Sequence, residues 1–164
     1  MLAFFLLPVW AFAQKPYFQQ KVNYRIEVRL DDERHRLEGN ISMDYHNLSP
    51  DTLTFVYMHL WANAYSSRTT AFARQQLRNG NTDFHFAQDT DRGGFSGLNF
   101  QVDGRRADWK ADGKNPDIAI LELPEKLPPG GQMTIQTPFT LQIPASFSRL
   151  GHIGQSFQDR KSVV

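Results

Sequence analysis

Five histidines, His35, His46, His59, His85 and His152, are the side chains here best suited to hold a metal or move a proton near neutral pH. A helix-borne hydrolytic zinc site needs two histidines one helical turn apart, with a glutamate beside the first as general base, in the pattern H-E-x-x-H. The residues that follow the five are Arg36, Asn47, Leu60, Phe86 and Ile153, so none opens that pattern. His46, His59 and His85 fall in strand-like alternation, where a histidine is expected on the polar face or packed. The chain has no cysteine, which removes thiolate zinc sites, disulfides, redox pairs and a cysteine nucleophile. No catalytic, cofactor-binding or metal-ligating residue is assigned.

Other clusters read as structure. Gly93-Gly94-Phe95-Ser96-Gly97 is rich in glycine but opens a strand, and so lacks the helix N-terminus that a phosphate loop requires. Asp31-Asp32-Glu33 lies at a hairpin end without the ligand spacing of a calcium loop. Arg105-Arg106 and Lys110 follow an Asp-Gly turn and read as a solvated hairpin face. Trp61, Tyr65 and Trp109 are candidates for a sugar-stacking platform, although both tryptophans fall in strand patterns that predict core positions.

The elements that must position these residues are strands. Val22, Tyr24, Ile26, Val28 and Leu30 alternate with polar residues and stop at Asp31-Asp32. Leu37, Ile41, Met43 and Tyr45 form the matching face of a second strand, which predicts an antiparallel hairpin. Residues 52–61 are apolar or β-branched on both faces, predicting a central strand covered on two sides. Ser66 or Ser67 is expected to cap one short helix that carries Phe72 and Leu77. Phe84-His85-Phe86 continues the strand pattern. Leu98, Phe100 and Val102 lead to the tight turn Asp103-Gly104, with Ala107, Trp109 and Ala111 on the return strand. Residues 118–123 add a strand, and 133–143 another, in which Pro138 predicts an edge or a bulge. The fold class expected is all-β, an antiparallel β-sandwich with one short helix.

With 18 Lys and Arg against 17 Asp and Glu, no net field draws the chain to nucleic acid. The apolar run at residues 2–9, followed by Ala11-Phe12-Ala13, predicts a signal peptide at 1–13 and export to the periplasm or beyond the cell. No Lys or Arg precedes that run, so the true start is expected upstream of Met1. It is too short for a stable membrane anchor, which takes roughly 20 apolar residues. Residues 14–158 are read as one domain. Residues 159–164 continue no turn or strand pattern. Codons GAT CGG AAG AGC GTC GTG would encode them and resemble a sequencing adapter, so 159–164 are expected to be a non-native tail.

Read in order, several segments resemble the N-terminal domain of zinc metallopeptidases of the aminopeptidase N type, in their bacterial secreted branch. They are YRIEVRLD at 24–31, HRLEG at 35–39, YHNLSPDTL at 45–53, HLWANA at 59–64, residues 93–102, LPPGG at 127–131, FTLQIP at 139–144 and Ser148-Arg149-Leu150-Gly151. The resemblance covers about residues 17–158. It implies a saddle-like β-domain packed on a thermolysin-like catalytic domain, whose peptide-binding cleft it helps to wall. It also implies zinc and peptide substrates for the parent protein, with every zinc ligand and catalytic residue C-terminal to this segment. This chain alone is then expected to hold no cofactor and to be inactive, its partner being its own catalytic domain. The alternative is a stand-alone secreted β-sandwich that binds glycan or protein.

Overall fold

The computed structural model describes residues 17–159. The predicted signal peptide and residues 160–164 lie outside the described residues. Asp159, read from sequence as the first tail residue, closes a short hairpin opposite Leu150.

In chain order the elements are β1 (Lys21–Asp31), β2 (Arg36–His46), β3 (Leu53–His59), a 3-10 turn (Trp61–Tyr65), α1 (Ala71–Arg78), α2 (Asp83–Phe86), β4 (Gly94–Ser96), β5 (Gln101–Val102), β6 (Arg105–Arg106), β7 (Trp109–Ala111), β8 (Ile118–Leu127), β9 (Gln132–Gln142), β10 (Leu150–Ile153) and β11 (Ser156–Asp159). The fold is all-β, and every strand pairing is antiparallel. The large sheet runs β1-β2-β9-β5-β6, with β4 also on β9; a smaller sheet runs β3-β8-β7. Period-two alternation decides this outcome, because it gives the large sheet one apolar face for the smaller sheet to cover.

The predicted first hairpin forms in full register, from Lys21 opposite His46 to Asp31 opposite Arg36. The Asp31 carboxylate holds its turn by accepting from the Arg34 backbone N–H and pairing with the Arg34 guanidinium at 3.0 Å. One core lies between the sheets, where Met43, Met133 and Ile135 meet Val56, Leu121 and Leu127. A second core sits at the other end of the large sheet, where Leu141 and Ile143 meet Tyr65, Ala73 and Phe84 of the helical segment.

Several local expectations are corrected. Residues 53–59 form an edge strand covered on one face only, since Phe55 and Tyr57 stand exposed on the other. The return strand after Asp103-Gly104 is broken: β6 stays with β5, and the chain crosses at residues 107–108 so that β7 pairs β8 in the smaller sheet. The turn itself is as predicted, with Asp103 at φ 49° and Gly104 at φ 77°. Phe84-His85-Phe86 is a helical turn, started by the Asn81 side chain accepting from the Asp83 N–H; that local bond overrides the alternation. Thr70, not a serine, caps α1, accepting from the Ala73 N–H at 3.1 Å while donating to the Ala64 carbonyl. Pro138 lies in a strand that is central overall. It falls between the stretches of β9 paired by β5, at Gln136, and by β4, at Thr140, where neither strand pairs β9. The strand is not an edge, but over residues 137–139 one side of it lacks a strand partner, and Pro138, without an N–H, sits in that gap.

Candidate docking face

The even residues of β1 share a face with the odd residues of β2 and β9, so three-residue rows cross the large sheet. In the row Tyr24, Met43, Ile135, exposure falls from 44% to 3% to 0%. Ile26, Val28 and Leu30 are 47, 55 and 45% exposed on the same face as Tyr24. The covering sheet is three strands wide and packs over β9 and β2; it leaves the β1 end of the apolar face bare. Each Å² of apolar surface left in water forgoes about 25 cal/mol, and contiguous patches of this kind mark sites where something else packs. Partial burial still pushes the Tyr24 phenol above its ordinary pKa, and Tyr45 beside it follows for the same reason, with Tyr24 adding to the effect. Sequence alternation located this face, but it could not say which rows would lack a cover.

The outer face of the smaller sheet is a second exposed aromatic surface. Phe55 and Tyr57 meet edge to face at 5.4 Å, with the Lys110–Glu122 ion pair on the same sheet and His59 Nε2 3.5 Å from the Asp117 carboxylate at its end. Arg105 pairs with Glu125, so the basic cluster is a solvated hairpin face. Two surface depressions, of about 400 and 470 Å³, lie along β1, β2 and β9 and along β3.

The glycine-rich segment is a packing device. Phe95 donates its N–H to the Asn63 side-chain oxygen at 2.7 Å, and the Asn63 amide donates to the Pro116 carbonyl. A Cβ on Gly93 would sit 2.2 Å from the Gln142 carbonyl, and one on Gly94 would sit 2.9 Å from the Asn63 oxygen. The HLWANA segment and the glycines thus lock together. Trp61, Tyr65 and Trp109 form no common platform: Trp61 lies in the 3-10 turn, half-buried and edge-on to Phe95, and Tyr65 is buried against Phe72. Trp109, expected in the core, is instead exposed on β7, with one edge against Phe100.

The histidines are dispersed, apart from one pair. His35, in the β1–β2 turn at φ 53°, stacks on His152 of β10 with centroids 3.6 Å apart. Two stacked rings do not converge on a point, and among the described residues no group of three or more His, Cys, Asp or Glu could hold a metal. The described residues do not fit a zinc site. His85 Nδ1 is buried without a hydrogen-bond partner, as is Arg92 Nε; the Arg92 guanidinium otherwise pairs with Asp89, donates to the Ala87 carbonyl and lies 5.5 Å from the Phe84 ring centre. The stacked pair is a contact that sequence reading missed, since nothing local links positions 35 and 152.

Burial, then the neighbouring His35, hold the His152 pKa below its ordinary value, outweighing the Gly154 carbonyl and Asp91. A histidine whose folded pKa lies below its unfolded value, about 6.5, costs nothing at higher pH and opposes folding as pH falls through that value. Backbone amides of β10 and β11 are therefore expected to lose exchange protection, relative to β9, between pH 7.5 and pH 5. His152→Asn should remove that difference; a hairpin equally protected at both pH values would contradict it.

Compared with known proteins, the sequence matches no family model and no curated protein. No helix among the described residues is long and apolar enough to cross a membrane.

Proposed function

We propose that this chain is the N-terminal, non-catalytic β-domain of an exported zinc metallo-aminopeptidase, packing on a catalytic domain and walling its peptide cleft. The observation that carries the reading is the bare apolar face of β1, built from Tyr24, Ile26, Val28 and Leu30 beside a covered core. A stand-alone sandwich gains by covering such a face, whereas a domain that docks needs it exposed. The ordered resemblance from residue 24 to residue 151 supplies the kind of partner, and the apolar run before Ala11-Phe12-Ala13 supports export. The domain contributes shape, and zinc and its activated water belong to the neighbour. A glycan-binding alternative gains nothing from the dispersed Trp61, Tyr65 and Trp109.

The test is the genomic reading frame that encodes this segment. It is expected to continue beyond codon 158 into a segment with H-E-x-x-H and a further downstream glutamate. A natural stop close to Gln158 would overturn the proposal.

A further inference from the structure

The outer edge of β1 is unpaired among the described residues, since the large sheet begins there and runs inward through β2. An eleven-residue edge presents a row of free backbone N–H and C=O groups, a template for another strand. Charged side chains usually deter such pairing, so the order of the charges matters. Along the polar face of β1 the residues run Lys21, Asn23, Arg25, Glu27, Arg29, Asp31.

Laid antiparallel against itself about a two-fold axis through Ile26, all eleven residues of this strand find partners. Arg25 then faces Glu27 of the second copy and Lys21 faces Asp31, each twice by symmetry. No like charges are opposed, and Tyr24 meets Val28 on the apolar side. Moving the axis to Arg25 or to Glu27 sets that residue against its own copy. Moving it to Val28 keeps the charges matched but pairs only residues 25–31. A parallel arrangement in register opposes every charge to its like. Arg25 and Glu27 already pair along the strand at 2.7 Å, with side chains 81% and 66% exposed, so both can turn to a new partner.

We propose that the β1 edge is a homodimerisation site, where two copies pair antiparallel about Ile26 and join their large sheets into one. The contact runs along the backbone edge and leaves the apolar face of the joined sheet open to the neighbour proposed above; it does not depend on that reading.

Sedimentation equilibrium of the full chain tests it. Wild type is expected at twice the chain mass. Arg25→Glu sets Glu against Glu27 of the other copy, and Glu27→Arg sets Arg against Arg25. Each should weaken association by roughly tenfold or more, since opposed like charges destabilise cross-strand pairs. An equimolar mixture of the two variants, and the double variant R25E/E27R, restore opposite signs across the axis and should restore the dimer. The Val28 register predicts no rescue on mixing. Both side chains are in solvent, so at a concentration low enough for wild type to be monomeric the variants should unfold at the same temperature, and only at higher concentration should wild type gain stability over them. A monomeric wild type, a mass indifferent to the swaps, or a mixture that stays monomeric would each overturn the proposal.

Discussion

Asn47→Ala is expected to destabilise the domain by about 3 kcal/mol or more, a large part of the 5–15 kcal/mol typical of a whole domain. Asn47 is fully buried at the end of β2. Its amide nitrogen lies within 3.1 Å of the carbonyls of Asp51, Leu127 and Pro128, and its side-chain oxygen accepts from the Ser49 N–H, the Ser49 hydroxyl and Gln20. Its backbone donates to the Gly131 carbonyl and accepts from the Gly130 N–H. One side chain thus ties the loop after β2 to the turn between β8 and β9, where the two sheets join. Alanine leaves several buried polar groups without partners, each of which costs about 1–3 kcal/mol. Thermal unfolding should shift down by roughly 10 °C for a domain of this size. Asn47→Asp, nearly the same shape, should do no better, because it turns a carboxylate oxygen toward three carbonyls. A shift under about 2 °C for alanine would show that water replaces these bonds without loss.

Phe84→Ala is expected to cost about 3–5 kcal/mol, the range for removing a buried phenylalanine. The ring lies 5.2 Å from Phe72, 4.9 Å from Phe147 and 6.4 Å from Tyr65, and carries the Arg92 guanidinium on its face. α2 is only four residues long, with the Asn81 side chain bonding one N–H at its start, so packing of Phe84 is what fixes this turn against the second core. The loss should be local at first. Arg92, buried in the intact protein, should become a trypsin cleavage site in the variant while β1, β2 and β9 stay protected. Unchanged protection at Arg92 would contradict this account of the helical segment.

Much of the fold was legible because alternation is a direct consequence of strand geometry. Val22 to Leu30 and Leu37 to Tyr45 pair as their patterns require, and Asp103-Gly104 turns with the positive φ its residues favour. Where sequence reading failed, a local bond or a tertiary neighbour decided. Asn81 turned an alternating Phe-His-Phe into a helical turn, and Thr70 took the cap expected of Ser66 or Ser67. Residues 53–59 are apolar on both sides, which in isolation cannot distinguish a buried central strand from an edge strand with an exposed aromatic face. The bare apolar face is the same case: Tyr24 and Ile135 lie on one apolar face, and only the width of the covering sheet separates their fates. The His35–His152 stack joins residues far apart in the chain and left no local signal.

The central claim is that a β scaffold with an exposed apolar face serves a metal-bearing neighbour. The direct measurement is hydrolysis of aminoacyl-arylamides by two proteins, residues 17–159 alone and the product of the intact reading frame, each before and after chelation and zinc return. The account predicts no turnover from residues 17–159 under any condition, and from the intact product a turnover that chelation removes and zinc restores. Zinc-dependent hydrolysis by residues 17–159, or an intact product indifferent to zinc, would contradict it.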